Sequence, residues 1–336
     1  MRAFRLHAFD GPDGYRLEER PSPSPGHGEV VVRMKAASLN YRDLLISKGL
    51  YNPKLPLPQV PLSDGAGEVA AVGLGVTRFK LGDRVSANFM AGWIEGPIDA
   101  AKGRTALGGE AGGVLAEEVV LPEAALVRIP DHLGFEEAAT LPCAALTAWH
   151  ALFPSGRVKP GDAVLTQGSG GVSVFAIQFA SLAGARVIAT SSSDTKLSRL
   201  KDLGASELIN YKTTPDWDRR ARELTGGAGV DHVIEVGGAG TLPKSLRAVR
   251  VGGHVALIGV LSGLGEVNPM GILMNSIRVH GIYVGSRDMF EAMNRAISAA
   301  SLRPVIDRVF PFEDAASALR HLETGSHLGK VVIRIP

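Results

Sequence analysis

The sequence predicts an α/β protein in which a doubly wound, six-stranded parallel sheet is joined to a β-rich companion domain. Three observations predict it. From about residue 163 onward, short apolar runs alternate with helical-period segments, the rhythm of a parallel sheet covered by helices. A glycine cluster follows the first of those runs and opens a helix. Residues 1–125 instead carry short apolar runs between Gly, Pro and Asp clusters, the punctuation of a strand-rich fold. A length of 336 residues fits two domains,.

Taken in order, strands are expected in the first region over 29–34, 67–72 and 115–121, with the PSPSP run at 21–25 as a break. In the second region they are expected over 163–167, 186–190, 207–210, 232–236, 254–258 and 279–284. The intervening helices start near Gly171, Asp194, Asp216, Thr241 and Pro269, the proline being suited to a first helical turn,. A helix over 289–300 and a strand over 330–335 follow the sixth strand and return to the first domain. The expected domains are therefore 1–128 together with 287–336, and 129–286. No internal repeat is evident, which sets repeat architectures aside.

Composition narrows the partners. Lys and Arg number 36 against 34 Asp and Glu, so no charge excess draws the chain to nucleic acid or to an anionic membrane. Glycine accounts for 41 residues while hydrophobic residues still make up 45 %, as in a folded chain with many tight turns. Cys143 is the sole cysteine, which rules out an intrachain disulfide and any zinc site needing two thiolates. Arg2, Arg5 and Asp10 leave no signal-peptide run at the N-terminus,. The uncharged stretch 163–185 holds Gln167, Gln178, three serines and four glycines, too polar for a membrane span. A cytoplasmic protein acting on a small molecule is expected.

The strand at 163–167 runs into Gly168-Ser169-Gly170-Gly171-Val172 and then a helix. Glycines there let the backbone turn sharply and bring a pyrophosphate to the helix N-terminus, where free N–H groups and the dipole favour negative charge. A dinucleotide is the expected guest; the bland reading is a structural glycine turn. Ser173 replaces the third glycine of the GxGxxG spacing. About 20 residues on, where a carboxylate would grip the adenosine ribose, the chain has Ser191. Hydroxyls of Ser191 and Ser192, with Lys196 and Arg199 one turn on, would welcome a 2′-phosphate, so NADP(H) is preferred over NAD(H). Alternatively, Ser193 or Asp194 is a helix N-cap and Lys196 a surface charge. Tyr211 either packs beside the adenine-side phosphate or is an ordinary turn tyrosine.

Several segments carry a family resemblance: Ser38-Leu39-Asn40-Tyr41-Arg42-Asp43, Asp64-Gly65-Ala66-Gly67-Glu68-Val69, the run 76–85 (VTRFKLGDRV), the run 141–149 (LPCAALTAW) and the glycine loop. Over nearly its whole length the chain resembles the medium-chain dehydrogenase/reductase superfamily, most closely its zinc-lacking quinone-oxidoreductase-like branch. The resemblance implies a Rossmann cofactor domain and a GroES-like catalytic domain. In the zinc alcohol dehydrogenases of that superfamily the metal is held by a cysteine, the histidine of a Gly-His-Glu triplet, and a further Cys or His. Matched onto this chain, those positions are Asn40, the triplet Leu62-Ser63-Asp64, and Cys143. One thiolate with an amide and a hydroxyl is a poor zinc site, so no zinc is expected; Asp64 offers at most one further oxygen. The four cysteines of a structural zinc lobe are missing over 89–113. The alcohol dehydrogenase proton relay also fails to transfer, since its positions hold Arg42 and Leu45.

What the resemblance leaves is hydride transfer between a nicotinamide and an electron-poor acceptor, a quinone or enone, whose developing oxygen charge needs only hydrogen-bond donors. Asn40 and Tyr41 lie in the segment that faces the nicotinamide in relatives, and Tyr51 resembles an active-site tyrosine of the quinone reductases. These three are the catalytic candidates; packing of either tyrosine at a domain interface is the competing reading. Thr147 is expected against the nicotinamide ring, and Cys143 as an inert core residue. Loops at the carboxyl ends of the strands complete the cofactor set: Gly237 and Gly238, Gly259-Val260-Leu261-Ser262, and Val284-Gly285-Ser286-Arg287,. Phe89, Met90 and Trp93 either wall the substrate side or bury a loop. His7, His27, His150, His254 and His280 lack metal-like spacing. A metal-dependent alcohol dehydrogenase and a nucleotide-binding protein with little turnover are the competing readings. Relatives commonly pair through the edge strand of the cofactor sheet, so a homodimer is expected.

Overall fold

The computed structural model describes residues 1–263 and 265–336 and divides into two compact units, Met1–Leu146 with Val284–Pro336, and Thr147–Tyr283. The first unit opens with an antiparallel pair, β1 (Arg2–Leu6) and β2 (Tyr15–Glu19). There follow β3 (Glu29–Ser38), α1 (Tyr41–Ser47), β4 (Asp64–Val72), β5 (Arg84–Ala87), α2 (Ala100–Gly103), β6 (Glu118–Pro122), β7 (Leu126–Arg128) and α3 (Phe135–Ala138). The helix α4 (Leu146–His150) crosses into the second unit.

In the second unit β8 (Ala163–Gln167), β9 (Arg186–Ser191), β10 (Glu207–Asn210), β11 (Val230–Glu235), β12 (Val249–Leu257) and β13 (Arg278–Gly281) form one parallel sheet. Between them run α5 (Gly171–Leu182), α6 (Asp194–Asp202), α7 (Trp217–Leu224), α8 (Leu242–Ala248) and α9 (Met270–Met274). The spatial order is β10-β9-β8-β11-β12-β13, the doubly wound order whose crossovers reverse direction between β8 and β11. β8 is buried along its whole length, which explains why it opens on the consecutive apolar residues Ala163, Val164 and Leu165 with no polar alternation. The six expected strands are all present. The last is shorter than expected because the chain leaves the sheet at Gly281 and takes a left-handed turn at Val284, φ 53°.

The chain then returns to the first unit with α10 (Arg287–Ala300), β14 (Ile306–Pro311), α11 (Ala315–Glu323) and β15 (Lys330–Arg334). The larger sheet of that unit runs β14-β15-β3-β4-β5-β7, with β6 also on β3. β3 supplies Val30, Val32 and Met34 to a core completed by Val69, Val85 and Ile333, and Phe4 meets Phe312 edge-on at 5.2 Å. The compact units divide at Leu146 and Val284, against expected boundaries at 129 and 287. Segment 129–146 stays with the first unit because Ile129, Ala138 and Ala139 close a cluster with Ala36, Ala66 and Val332. Residues 284–286 join it because Ser286 is the residue from which α10 starts, and the Arg287 N–H bonds the Trp93 carbonyl at 2.9 Å. Among the described residues no helix is long and apolar enough to cross a membrane.

Candidate functional site

The glycine loop joins β8 to α5 with Gly168 at φ +74°, a left-handed conformation that L side chains adopt at a cost. Its N–H bonds the Thr190 carbonyl at 2.8 Å, tying the loop to β9. A Cβ added at Gly168 or Gly170 would meet no atom within 4 Å, so the loop leaves open space beside the N-terminus of α5. Ser173, in place of a third glycine, donates from Oγ to the Gln167 carbonyl at 2.6 Å and fastens the helix to the strand it follows. The loop is thus open on one side and braced on the other, as a phosphate cradle requires.

A second brace was not foreseen. Glu235, at the end of β11, is fully buried. Its Oε1 accepts from the N–H groups of Gly237 at 2.8 Å and Gly238 at 3.0 Å and from the Thr241 hydroxyl at 2.5 Å. Its Oε2 accepts from Gln167 Nε2 at 2.8 Å and from the Ser245 hydroxyl. Gln167 Oε1 in turn takes the N–H groups of Val236 and Gly237, each at 3.3 Å. One carboxylate therefore sets the loop after β11 and holds the residue just before the glycine loop. Ser262 Oγ donates to the Gly237 carbonyl at 2.6 Å, and Gly259 lies so close that a Cβ would sit 2.1 Å from the Val236 oxygen. The sequence signal for this network was a lone Glu in the apolar run HVIEV and a Gln closing AVLTQ.

At the far end of β9, Ser191 is buried, and Ser193 Oγ accepts the Lys196 N–H at 3.4 Å as the N-cap of α6. Asp194, the first carboxylate after Ser191 in the chain, accepts from Asn210 Nδ2 at 2.7 Å. Ser192 is half-buried, and Tyr211 is exposed with its N–H on the Ser191 carbonyl at 3.0 Å. Thr147 is buried in α4, and Val260 is exposed after β12.

In the first unit a compact polar cluster surrounds the start of α1. Asp43 accepts the Asn40 N–H at 2.7 Å and caps the helix. Lys330, on β15, donates to the Leu39 carbonyl and to Asn40 Oδ1, both at 2.6 Å, with Asp64 Oδ2 at 3.9 Å. Asp64, at the start of β4, accepts the Ser63 hydroxyl at 2.7 Å and the Cys143 N–H at 3.1 Å. Burial pushes the Asp64 carboxyl up against the opposing pull of Lys330 and the Ser63 bond, and burial raises Asp43 to about 7. Burial, followed by the charge of Asp64, raises the Cys143 thiol, which makes it a poor nucleophile. Lys330 was missed because it reads as an ordinary strand lysine in KVVIR.

The other candidates separate clearly. Tyr41 and Tyr51 are 47 % and 43 % exposed. The Arg42 guanidinium lies 5.0 Å from the Tyr51 ring centroid and 4.9 Å from that of Phe89, and its Nη1 donates to the Leu107 carbonyl. The side-chain nitrogen of Asn40 is out of contact with solvent, so this residue is part of the cluster. Phe89, Met90 and Trp93 are fully buried. Gly285, Ser286 and Arg287 lie in the first unit, where Arg287 donates to the Ala124 carbonyl at 3.0 Å and Ser286 Oγ bonds Asp288.

The sequence profile of the alcohol dehydrogenase GroES-like domain matches residues 26–131, and that of the zinc-binding dehydrogenase family matches residues 171–299. A zinc-type alcohol dehydrogenase-like protein of Schizosaccharomyces pombe is 47 % identical, over 96 % of this chain and 94 % of its own. A crystal structure of an NAD-dependent alcohol dehydrogenase superposes with a TM-score of 0.92 at 40 % identity, covering all of both chains. The Escherichia coli quinone oxidoreductase complexed with NADPH does so at 0.86 and 25 % identity, again over both full chains.

A nicotinamide dinucleotide and zinc are both implied by those names, and the residues fit only one of them. The open space at Gly168 and Gly170, the braced strand end and the N-terminus of α5 suit a pyrophosphate. The donors matching the metal positions do not suit zinc. Asn40 Oδ1 is taken by an ammonium, Asp64 carries two hydrogen bonds, and its nearest cation is Lys330. Among the described residues no three His, Cys, Asp or Glu side chains converge to hold a metal, whereas zinc needs at least three strong ligands.

Proposed function

The chain belongs to the medium-chain dehydrogenase/reductase superfamily and is an NAD(P)-dependent oxidoreductase; from that premise we propose that it reduces a quinone, an enone or a related carbonyl acceptor with NADPH and without zinc. One observation carries the proposal: the segments that hold metal in the zinc enzymes are here bonded to one another through Asp64 and Lys330. Polarising the acceptor oxygen then falls to hydrogen-bond donors. Tyr41 and Tyr51 present exposed phenols, and the Arg42 cation over the Tyr51 ring draws electron density from it and strengthens its O–H as a donor,. Asn40 holds the start of α1, from which Tyr41 projects.

When bound, the nicotinamide supplies or accepts the hydride. The chain's part is to hold it: Gly168 to Val172 with α5 receive the pyrophosphate, and Gly237 and the loop from Gly259 are set by Glu235 and Ser262. NADPH is preferred because the first carboxylate after Ser191 in the chain, Asp194, is engaged with Asn210, while Ser191, Ser192 and Lys196 offer hydroxyls and a cation to a 2′-phosphate. A homodimer paired through the edge of β13 completes the proposal, and light scattering on the purified protein tests it.

The functional test is a thermal-shift comparison of NADPH with NADH, followed by NADPH oxidation over a panel of quinones, enones, aldehydes and alcohols. NADPH raises the melting temperature more than NADH, and Lys196→Ala weakens NADPH while sparing NADH. Equal shifts for the two cofactors defeat the preference, and turnover of alcohols in preference to enones and quinones defeats the acceptor class.

A further inference from the structure

Lys330 is the first residue of β15 and is 3 % exposed. An ammonium has three donors and no acceptor, so the Asn40 atom 2.6 Å from it is the amide oxygen. The second donor goes to the Leu39 carbonyl, and the charge faces Asp64 Oδ2 at 3.9 Å. Asp64 reaches on to the Ser63 hydroxyl and to the backbone of Cys143. The positions that match the three metal-ligand segments of the zinc enzymes, at Asn40, 62–64 and Cys143, are thus all bonded into one cluster whose buried cation is Lys330. A divalent ion entering there would face a fixed positive charge and a carboxylate already balanced by it.

We infer that Lys330 is the built-in cation of this site, a positioning residue that joins the start of α1 to β4 and closes the site to divalent metal. The inference deepens the zinc-free reading and rests on it. Leu39 and Asn40 immediately precede Tyr41, so loosening the Lys330 bonds frees the first turn of α1 and misplaces its phenol.

The experiment uses the full chain as wild type, Lys330→Met, Lys330→Arg, Asp64→Leu and the Lys330→Met/Asp64→Leu double variant. Wild type incubated with zinc chloride and desalted is expected to retain no stoichiometric zinc. One zinc per chain that disappears in Asp64→Leu overturns both the zinc-free reading and the inference. With wild type zinc-free, the double-mutant cycle judges Lys330 alone. Lys330→Met melts below the double variant, since it leaves Asp64 buried and unpaired; additive losses overturn the pairing. In folded Lys330→Arg and the double variant, the NADPH dissociation constant stays at the wild-type value. In the double variant kcat for acceptor reduction falls about tenfold or more, and Lys330→Arg retains an intermediate kcat. An unchanged kcat in the folded double variant overturns the positioning role. Wild type inactive on every acceptor defeats the reductase reading, and the cycle and the metal assay then decide Lys330.

Discussion

Replacing Glu235 by Gln changes a carboxylate into an amide of the same shape at the centre of the β8–β11 brace. The amide has one acceptor oxygen where the network uses two. If its oxygen stays with Gly237, Gly238 and Thr241, its NH2 group confronts Gln167 Nε2 and Ser245. Ser245, whose Oγ already accepts from Gln167 Nε2 at 2.8 Å, can rotate its hydroxyl to accept from the new amide as well, but Gln167 cannot flip, because its own oxygen already serves the N–H groups of Val236 and Gly237. One buried donor is left facing another, a cost of about 1–3 kcal/mol. Loss of charge from the three bonds at Oε1 weakens them further, since charge-assisted bonds are roughly twice as strong as neutral ones. A total of about 3 kcal/mol follows, and with an unfolding entropy of about 2.1 cal/mol/K per residue over 336 residues it lowers the melting temperature by roughly 4 °C. Calorimetry measures that shift, and fluorescence titration with NADPH measures the accompanying loss of affinity as the Gly237 loop relaxes. A melting temperature within about 2 °C of wild type, with unchanged NADPH affinity, would refute the claim that this carboxylate braces the cofactor loops.

Asp43 has its pKa raised by burial from 3.8 to about 7, so between those values the folded chain binds a proton that the unfolded chain has released. Its contribution to stability is fully present below about pH 4 and is lost as pH rises to about 7. Asp43→Asn should therefore flatten the fall in urea midpoint across that window, and an unchanged slope would contradict the assignment. Gly168→Ala puts a methyl on a residue at φ +74° and into the open space of the loop. It should cost about 1–2 kcal/mol of stability and weaken NADPH binding beyond what that loss explains, as titration at saturating fold would show. The raised pKa of Cys143 means that iodoacetamide at pH 8 should alkylate the native thiol far more slowly than the urea-unfolded one; equal rates would place the thiol in a different environment.

The order of the second unit was legible because its signals are local. Apolar runs mark β8 to β13, a glycine turn marks the entry to α5, and proline and aspartate mark helix starts, each within a few residues of the chain. The strand-rich region was read more coarsely. β1, β2, β5 and β7 are only three to five residues long, too short for a period to show. β14 and α11 were passed over between the recognised helix and the last strand. The segment 129–146 falls in a different compact unit from the one expected, since which core takes Ile129, Ala138 and Ala139 depends on Ala36, Ala66 and Val332, all distant in sequence.

What the amino-acid order determined by itself was the glycine turn that opens α5 and the class of fold, since each is a matter of residue type at short spacing. What only the tertiary structure decided was which charges are buried together. Lys330 meets Asn40 across 290 positions and Gln167 meets Glu235 across 68. In a string of letters a buried lysine or glutamate looks the same as a solvated one. Folding gives each its partner by removing the water that would otherwise satisfy it.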